Sequence, residues 1–270
     1  MARSTRESRP SVPKQHPRRT ENLATYVYGI VPADVELDPG ESGLGEPVGQ
    51  VELVRHGEIA ALVSDIDASR PLGRPADYLA YERLLDSVAA RSPVLPFRFG
   101  AVLTDPDAIV AELLEPHHDD FLDALDDLGD QAEYIVRGRY VEATVLREVL
   151  AENPEAAGLL EAIRDLPEET TRNERIRLGE IIAASIEAKR DLDTNLVLDA
   201  LSTLYSTALV REPTHEQEAV HVAMLVRTGD QRALERALTK VGDDWEGRVD
   251  LRLLGPLAPY DFVTAQAQEV

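Results

Sequence analysis

Glu218-Ala219-Val220-His221-Val222-Ala223-Met224-Leu225-Val226-Arg227 is the stretch from which the fold is read. Val220, Val222, Met224 and Val226 alternate with His221, Ala223, Leu225 and Arg227, a period of two with both faces largely apolar. That is the signature of a strand covered on both sides, at the centre of a sheet. Gly229 and Asp230 break it; Ala233, Leu234, Ala237, Leu238 and Val241 then recur at helical spacing until Gly242. Val249, Leu251 and Leu253 alternate again before the punctuation of Gly255-Pro256.

Upstream, Glu133 to Val141 reads as another strand, and Tyr205 to Glu212 as one that turns at Pro213-Thr214-His215 into the central strand. Between them lies a long helical stretch that Pro154 and Pro167 divide into several helices. The order β, α with an insertion, β, β, α, β is the split βαβ, or ferredoxin-like, arrangement.

The first half is a different mixture. Thr25 to Val31 is a strand. Val51 to Arg55 and Ile59 to Ser64 flank His56-Gly57-Glu58 as a hairpin. Tyr78, Tyr81, Leu85 and Val88 form a helical stripe. Pro93 to Gly100 is extended, and its two prolines restrict it to a sheet edge or a short strand. Asp105 is placed to cap a helix that opens on Pro106, and a further short helix turns Phe121, Leu122, Leu125 and Leu128 inward, with aspartates outward. The fold class expected is α+β in two domains: a mixed α+β domain over 23–129 and a ferredoxin-like domain with a helical insertion over 130–254. Residues 255–270 are expected to pack between them as a clasp, which is preferred to an exposed patch because terminal apolar segments are most often packed. Residues 1–22, with Pro10, Pro13 and Pro17 among charges, are expected to be a disordered basic tail rather than a nucleic-acid arm.

A chain of 270 residues exceeds what one core comfortably fills. Aromatics make up 5% against 43% hydrophobic residues, so the cores are aliphatic. The net charge is −22, and Arg3, Arg6, Arg9, Lys14, Arg18 and Arg19 lie in the tail, so the body is more acidic still. Such a field repels nucleic acid and anionic lipid. The cysteine count is zero, which removes disulfides, thiolate metal sites and a cysteine nucleophile and suits the cytoplasm. The longest apolar candidate, Leu196 to Val210, is interrupted by polar residues and too short to span a bilayer.

Chemistry leaves little trace. His117 and Asp120 share a helix face, but a third metal ligand at known spacing is missing, and adjacent acids in a first helical turn are favoured by the helix dipole alone. There is no Gly-x-Ser-x-Gly elbow, phosphate loop or His-Glu-x-x-His. Arg98 sits in an apolar run, where it has to be paired or exposed at its tip; a buried structural ion pair is preferred to a ligand site. No catalytic, metal-ligating or cofactor-binding residue emerges.

Four stretches taken together resemble the gas vesicle protein F and L family: Tyr26-Val27-Tyr28-Gly29-Ile30, Ile59-Ala60-Ala61-Leu62-Val63-Ser64, Val94-Leu95-Pro96-Phe97-Arg98-Phe99-Gly100, and Gly255-Pro256-Leu257-Ala258-Pro259-Tyr260-Asp261-Phe262-Val263. The chain departs from the family at Leu257-Ala258, where Trp-Pro is usual, and at Ala101, where Thr is common. The resemblance makes Tyr28, Gly29, Pro96, Arg98, Phe99, Gly100, Gly255, Pro256, Pro259, Tyr260 and Phe262 the family-motif positions, structural or partner-binding. It implies a non-catalytic accessory or minor structural protein of gas vesicle assembly, cytoplasmic and vesicle-associated. The partners implied are the apolar major shell protein and other accessory proteins, with no cofactor, nucleic acid or lipid membrane. The alternative is a ferredoxin-like small-molecule sensor or enzyme, for which the fold alone speaks.

Overall fold

The computed structural model describes residues 23–45 and 49–263, so the reading of 1–22 as a disordered tail and the last seven residues of the expected clasp lie outside the described part. The first sheet consists of β1 (Leu23–Pro32), β2 (Val51–His56), β3 (Ile59–Asp67), β4 (Leu95–Pro96) and β5 (Val102–Leu103). The order is β2-β3-β1-β4, β5 also pairs with β1, and every pairing is antiparallel. His56 pairs with Ile59, and Gly57 at φ +59° makes the tight hairpin turn.

The register of β1 slips between Val27 and Gly29. That bulge puts Tyr26, Tyr28 and Val31 on one face and Val27 and Ile30 on the other. The tyrosine face packs beneath α1 (Pro75–Ala89) through Tyr81, Leu84, Leu85 and Val88. The opposite face packs on Ile109, Leu113 and Leu114, then on Phe121, Leu125 and Leu128 of α3 (His118–Leu128). Asp105 does cap α2 (Pro106–Ala108), accepting from Ala108 N at 2.9 Å, but the chain then widens into a π-helical turn over Ile109–Leu114.

The second sheet comprises β6 (Gln131–Tyr140), β7 (Tyr205–Val210), β8 (Glu218–Arg227) and β9 (Val249–Leu257) in the antiparallel order β7-β8-β6-β9. With α4 (Glu142–Glu152), α5 (Pro154–Ile163), α6 (Arg172–Leu201) and α7 (Gln231–Asp244), this is the ferredoxin-like order with extra helices in its first crossover. Val136, Val220, Val222, Met224 and Val226 lie beneath Val197 and Leu201 of α6 and Leu234 and Leu238 of α7. α5 and the start of α6 form their own cluster of Ala156, Ile163, Leu178 and Ile181.

Two expectations need correction. The last strand does not stop at the Gly-Pro pair: β9 runs through Gly255-Pro256 to Leu257, with its register against β6 shifting between Glu133 and Ile135. Arg98 is exposed rather than buried, because the extended segment alternates and Arg98 falls on its outer side between buried Phe97 and half-buried Phe99.

Candidate functional site

The four quoted stretches meet around β1 and along the seam between the sheets. Gly29 is required by close approach: a Cβ there would stand 2.5 Å from Leu95 O, and Gly29 pairs with Pro96 in the sheet. The Tyr28 hydroxyl shares a hydrogen bond of 2.8 Å with Ser64 Oγ and accepts one of 2.7 Å from Leu44 N. Tyr28 O accepts from Phe97 N at 2.9 Å. Gly100, at φ +104°, donates its N–H to the Tyr26 hydroxyl at 2.8 Å, and the Tyr81 hydroxyl donates to Phe97 O. Phe99 stacks on Tyr78 with ring centres 4.1 Å apart. Burial raises the Tyr26 and Tyr28 hydroxyls above the ordinary phenol range and Tyr81 to about 12, so these hydroxyls act as neutral hydrogen-bonding groups.

The C-terminal turn arrives from the second sheet. Gly255 has φ +132°, and a Cβ would meet Tyr134 Cδ1 at 2.6 Å and Glu133 O at 2.9 Å; its bond to Pro256 is cis. Beyond it, Ala258 is fully buried in the tyrosine cluster and donates its N–H to Asp86 Oδ1 of α1 at 2.9 Å. Pro259 is buried, and the ring of half-buried Tyr260 lies 6.2 Å from that of Tyr81. The Tyr260 hydroxyl is buried with no hydrogen-bond partner among the described residues, and burial, with the neighbouring Tyr81 adding to it, raises it above the ordinary phenol range.

Glu133 ties this turn to the sheet. It is 1% exposed on β6, accepts from Asp261 N at 3.1 Å, and pairs with Arg211 Nη2 at 3.2 Å, while Arg211 Nε donates to Asp261 Oδ2 at 2.6 Å. Burial pushes the Glu133 carboxyl up to about 7; the Asp261 N–H and Arg211 oppose the rise, and the charges of Asp261 and Asp86 add to it. Burial raises Asp86 as well. Glu133, Arg211 and Asp86 are absent from the motif positions, for their partners are distant in sequence; the signal available was an acid between Ala132 and Tyr134 at the start of a strand.

Phe262 lines a half-open cleft of about 260 Å³ with Val263, Leu95, Phe121 and Leu225. Its outer rim is formed by His117, just before α3, and by Asp120, Ala124 and Asp127 of α3. His117 Nδ1 stands 3.9 Å from Asp120 Oδ2, and among the described residues no three His, Cys, Asp or Glu side chains are grouped to hold a metal ion. No described helix is long and apolar enough to cross a membrane.

The fold and the seam define an α+β protein with two antiparallel sheets whose buried polar groups join remote segments of one chain. The family described as "Gas vesicle synthesis protein GvpL/GvpF" matches residues 24–264, and the chain belongs to it. The chain is 33% identical over 243 residues to gas vesicle protein F of Streptomyces sp. (strain CB03234), covering 89% of this chain and 100% of that protein. It is 27% identical over 263 residues to gas vesicle protein L of the same organism, covering 91% and 94%. The crystal structure of GvpF from Anabaena sp. PCC7120 superposes with a TM-score of 0.74 at 19% identity, over 90% of this chain and 99% of that one. GvpF from Microcystis aeruginosa gives 0.70 at 20% identity, over 89% and 99%. The family membership gives the chain an accessory role in gas vesicle formation.

Proposed function

We propose that this protein is a non-catalytic factor of gas vesicle assembly that binds the apolar major shell subunit and other gas vesicle accessory proteins, and that it works in the cytoplasm at the vesicle. The observation that carries this reading is the family match, which runs through both sheets and the C-terminal turn, over residues 24–264. The physical argument is one of solubility. A shell subunit buries its apolar surface only after it polymerises, and a carrier at net charge −22 that offers limited apolar surface keeps it dispersed until then. Leu192, Leu196 and Val210, at 65%, 54% and 57% exposure, supply such surface. On the same reading, residues 23–129 and 130–254 are two domains, and the segment from 255 onward is their clasp.

The test is co-expression with the shell subunit followed by affinity purification through this protein. The complex should be recovered, and Leu192→Glu with Leu196→Glu should cut recovery severalfold while thermal unfolding stays within a few degrees of the parent. Recovery of no vesicle component from cells that make all of them would overturn the proposal.

A further inference from the structure

The cleft at the seam joins two kinds of surface. Its floor is apolar, built by Leu95 of β4, Phe121 of α3, Leu225 of β8 and the two residues that end the C-terminal turn, Phe262 and Val263. Phe121 is 4% exposed, whereas Leu225, Phe262 and Val263 are only half-buried, so the apolar floor is open to solvent. Asp120 and Asp127, both exposed, stand on its rim. Seven residues apart on α3, they lie on one side of the helix about 10 Å from each other. Asp119, Asp123 and Asp126 extend the same negative surface around the helix.

We propose that this cleft is the docking site for another gas vesicle protein, which inserts a bulky apolar side chain flanked by lysine or arginine. The proposal rests on the reading of this chain as a partner-binding assembly factor and names the surface used. Charge complementarity selects the occupant: a cation on either side of the anchor meets Asp120 and Asp127, and the acidic field of the whole body draws a basic segment in. A second copy is disfavoured by the same field, since each copy carries −22. Size selects against a metabolite, because about 260 Å³ falls below the usual range for small-molecule pockets, roughly 300–1,000 Å³, yet accommodates a large side chain. An apolar centre with a polar rim is the usual anatomy of a protein–protein interface.

The experiment introduces a photo-crosslinking residue, Ala124→p-benzoylphenylalanine, at the cleft wall and, as a control, Glu187→p-benzoylphenylalanine on the exposed side of α6. Each full-length variant is co-expressed with the complete set of gas vesicle proteins, irradiated, and its adduct mapped by mass spectrometry. The expected result is an adduct from position 124, and none from 187, on a segment of a different gas vesicle protein with a large apolar residue within about four positions of a lysine or arginine. The double substitution Asp120→Lys with Asp127→Lys, at exposed positions that leave the core untouched, should reduce the adduct at least tenfold, and moderate salt should reduce it in the parent. An adduct on residues 1–22 of the same chain, on a second copy, or on a segment without basic residues overturns the proposal. Co-purification of vesicle proteins with no adduct at 124 overturns the surface and leaves the assembly role standing; loss of all co-purification overturns both.

Discussion

The two sheets use buried polar groups in different ways. Beneath α1, three tyrosine hydroxyls are committed to irregular backbone: Tyr28 to Leu44 N, Tyr26 to Gly100 N and Tyr81 to Phe97 O. Beneath α6 and α7, two hydroxyls reach side chains, Tyr134 meeting Gln231 Oε1 at 3.3 Å and Tyr140 meeting Asp193 Oδ2 at 2.6 Å, where Arg248 also binds, while half-buried Tyr205 donates to Leu198 O at 3.4 Å. The difference follows from strand length. β6 and β8 are ten residues each and pair almost throughout, whereas β4 and β5 have two residues each. A segment with so little ladder needs other partners for its backbone, and the core side chains of β1 and α1 provide them. Both halves have a long central ladder, but in the first half the short β4 and β5 segments also depend on side-chain-to-backbone bonds.

The sharpest way to break this contrast is at Gly29. Gly29→Val would drive a side chain into the backbone of Leu95, where no flexible group can yield, and should cost about 3 kcal/mol in urea unfolding. A loss under about 1 kcal/mol would mean that β4 is held by something other than its approach to β1.

The seam offers a pH-dependent test. The Glu133 carboxyl is raised in the folded protein from 4.5 to about 7, so between those values the native state holds a proton that the unfolded chain has released. Its contribution to stability is therefore fully present below about pH 4.5 and lost as pH rises through about 7, on the order of 2 kcal/mol across that window. Glu133→Gln should flatten this part of the stability profile, measured by urea melts from pH 5 to 8. A Glu133→Gln profile parallel to that of the parent would remove Glu133 as its source.

The smallest effects compare the two tyrosines directly. Tyr28→Phe leaves the buried Leu44 N–H and Ser64 hydroxyl without their partner and should cost about 2 kcal/mol. Tyr140→Phe should cost about 1 kcal/mol, because Asp193 keeps Arg248 Nη1 at 3.0 Å and Nη2 at 2.8 Å. Equal losses would erase the distinction between the two cores.

What the sequence revealed follows the same division. The β8 run from Val220 to Val226 and the α1 stripe of Tyr78, Tyr81, Leu85 and Val88 are periodic, and periodicity is a local property that a single chain displays openly, although Tyr78 lies at the exposed edge of its stripe. The ferredoxin-like order of the second half was legible for that reason. Gly29 is different: its need for hydrogen in place of a side chain is set by Leu95, sixty-six positions onward, and nothing near it in the chain announces that neighbour. The π-helical turn at Ile109–Leu114 carries an ordinary helical pattern, so its widening was hidden. Arg98 misled because its apolar neighbours suggested burial, when an extended segment sends every second side chain outward. Glu133 was passed over inside a strand, since its partners Arg211 and Asp261 arrive from much later in the chain.

Leu225 belongs to the second sheet yet packs against the first sheet's α3 cluster, and Phe262 and Val263 close the wall beside it. Those two residues follow the strands of both sheets in the chain, so the wall forms only after both sheets have been synthesised. A partner docking in the proposed cleft therefore meets a surface that exists only when both sheets are in place.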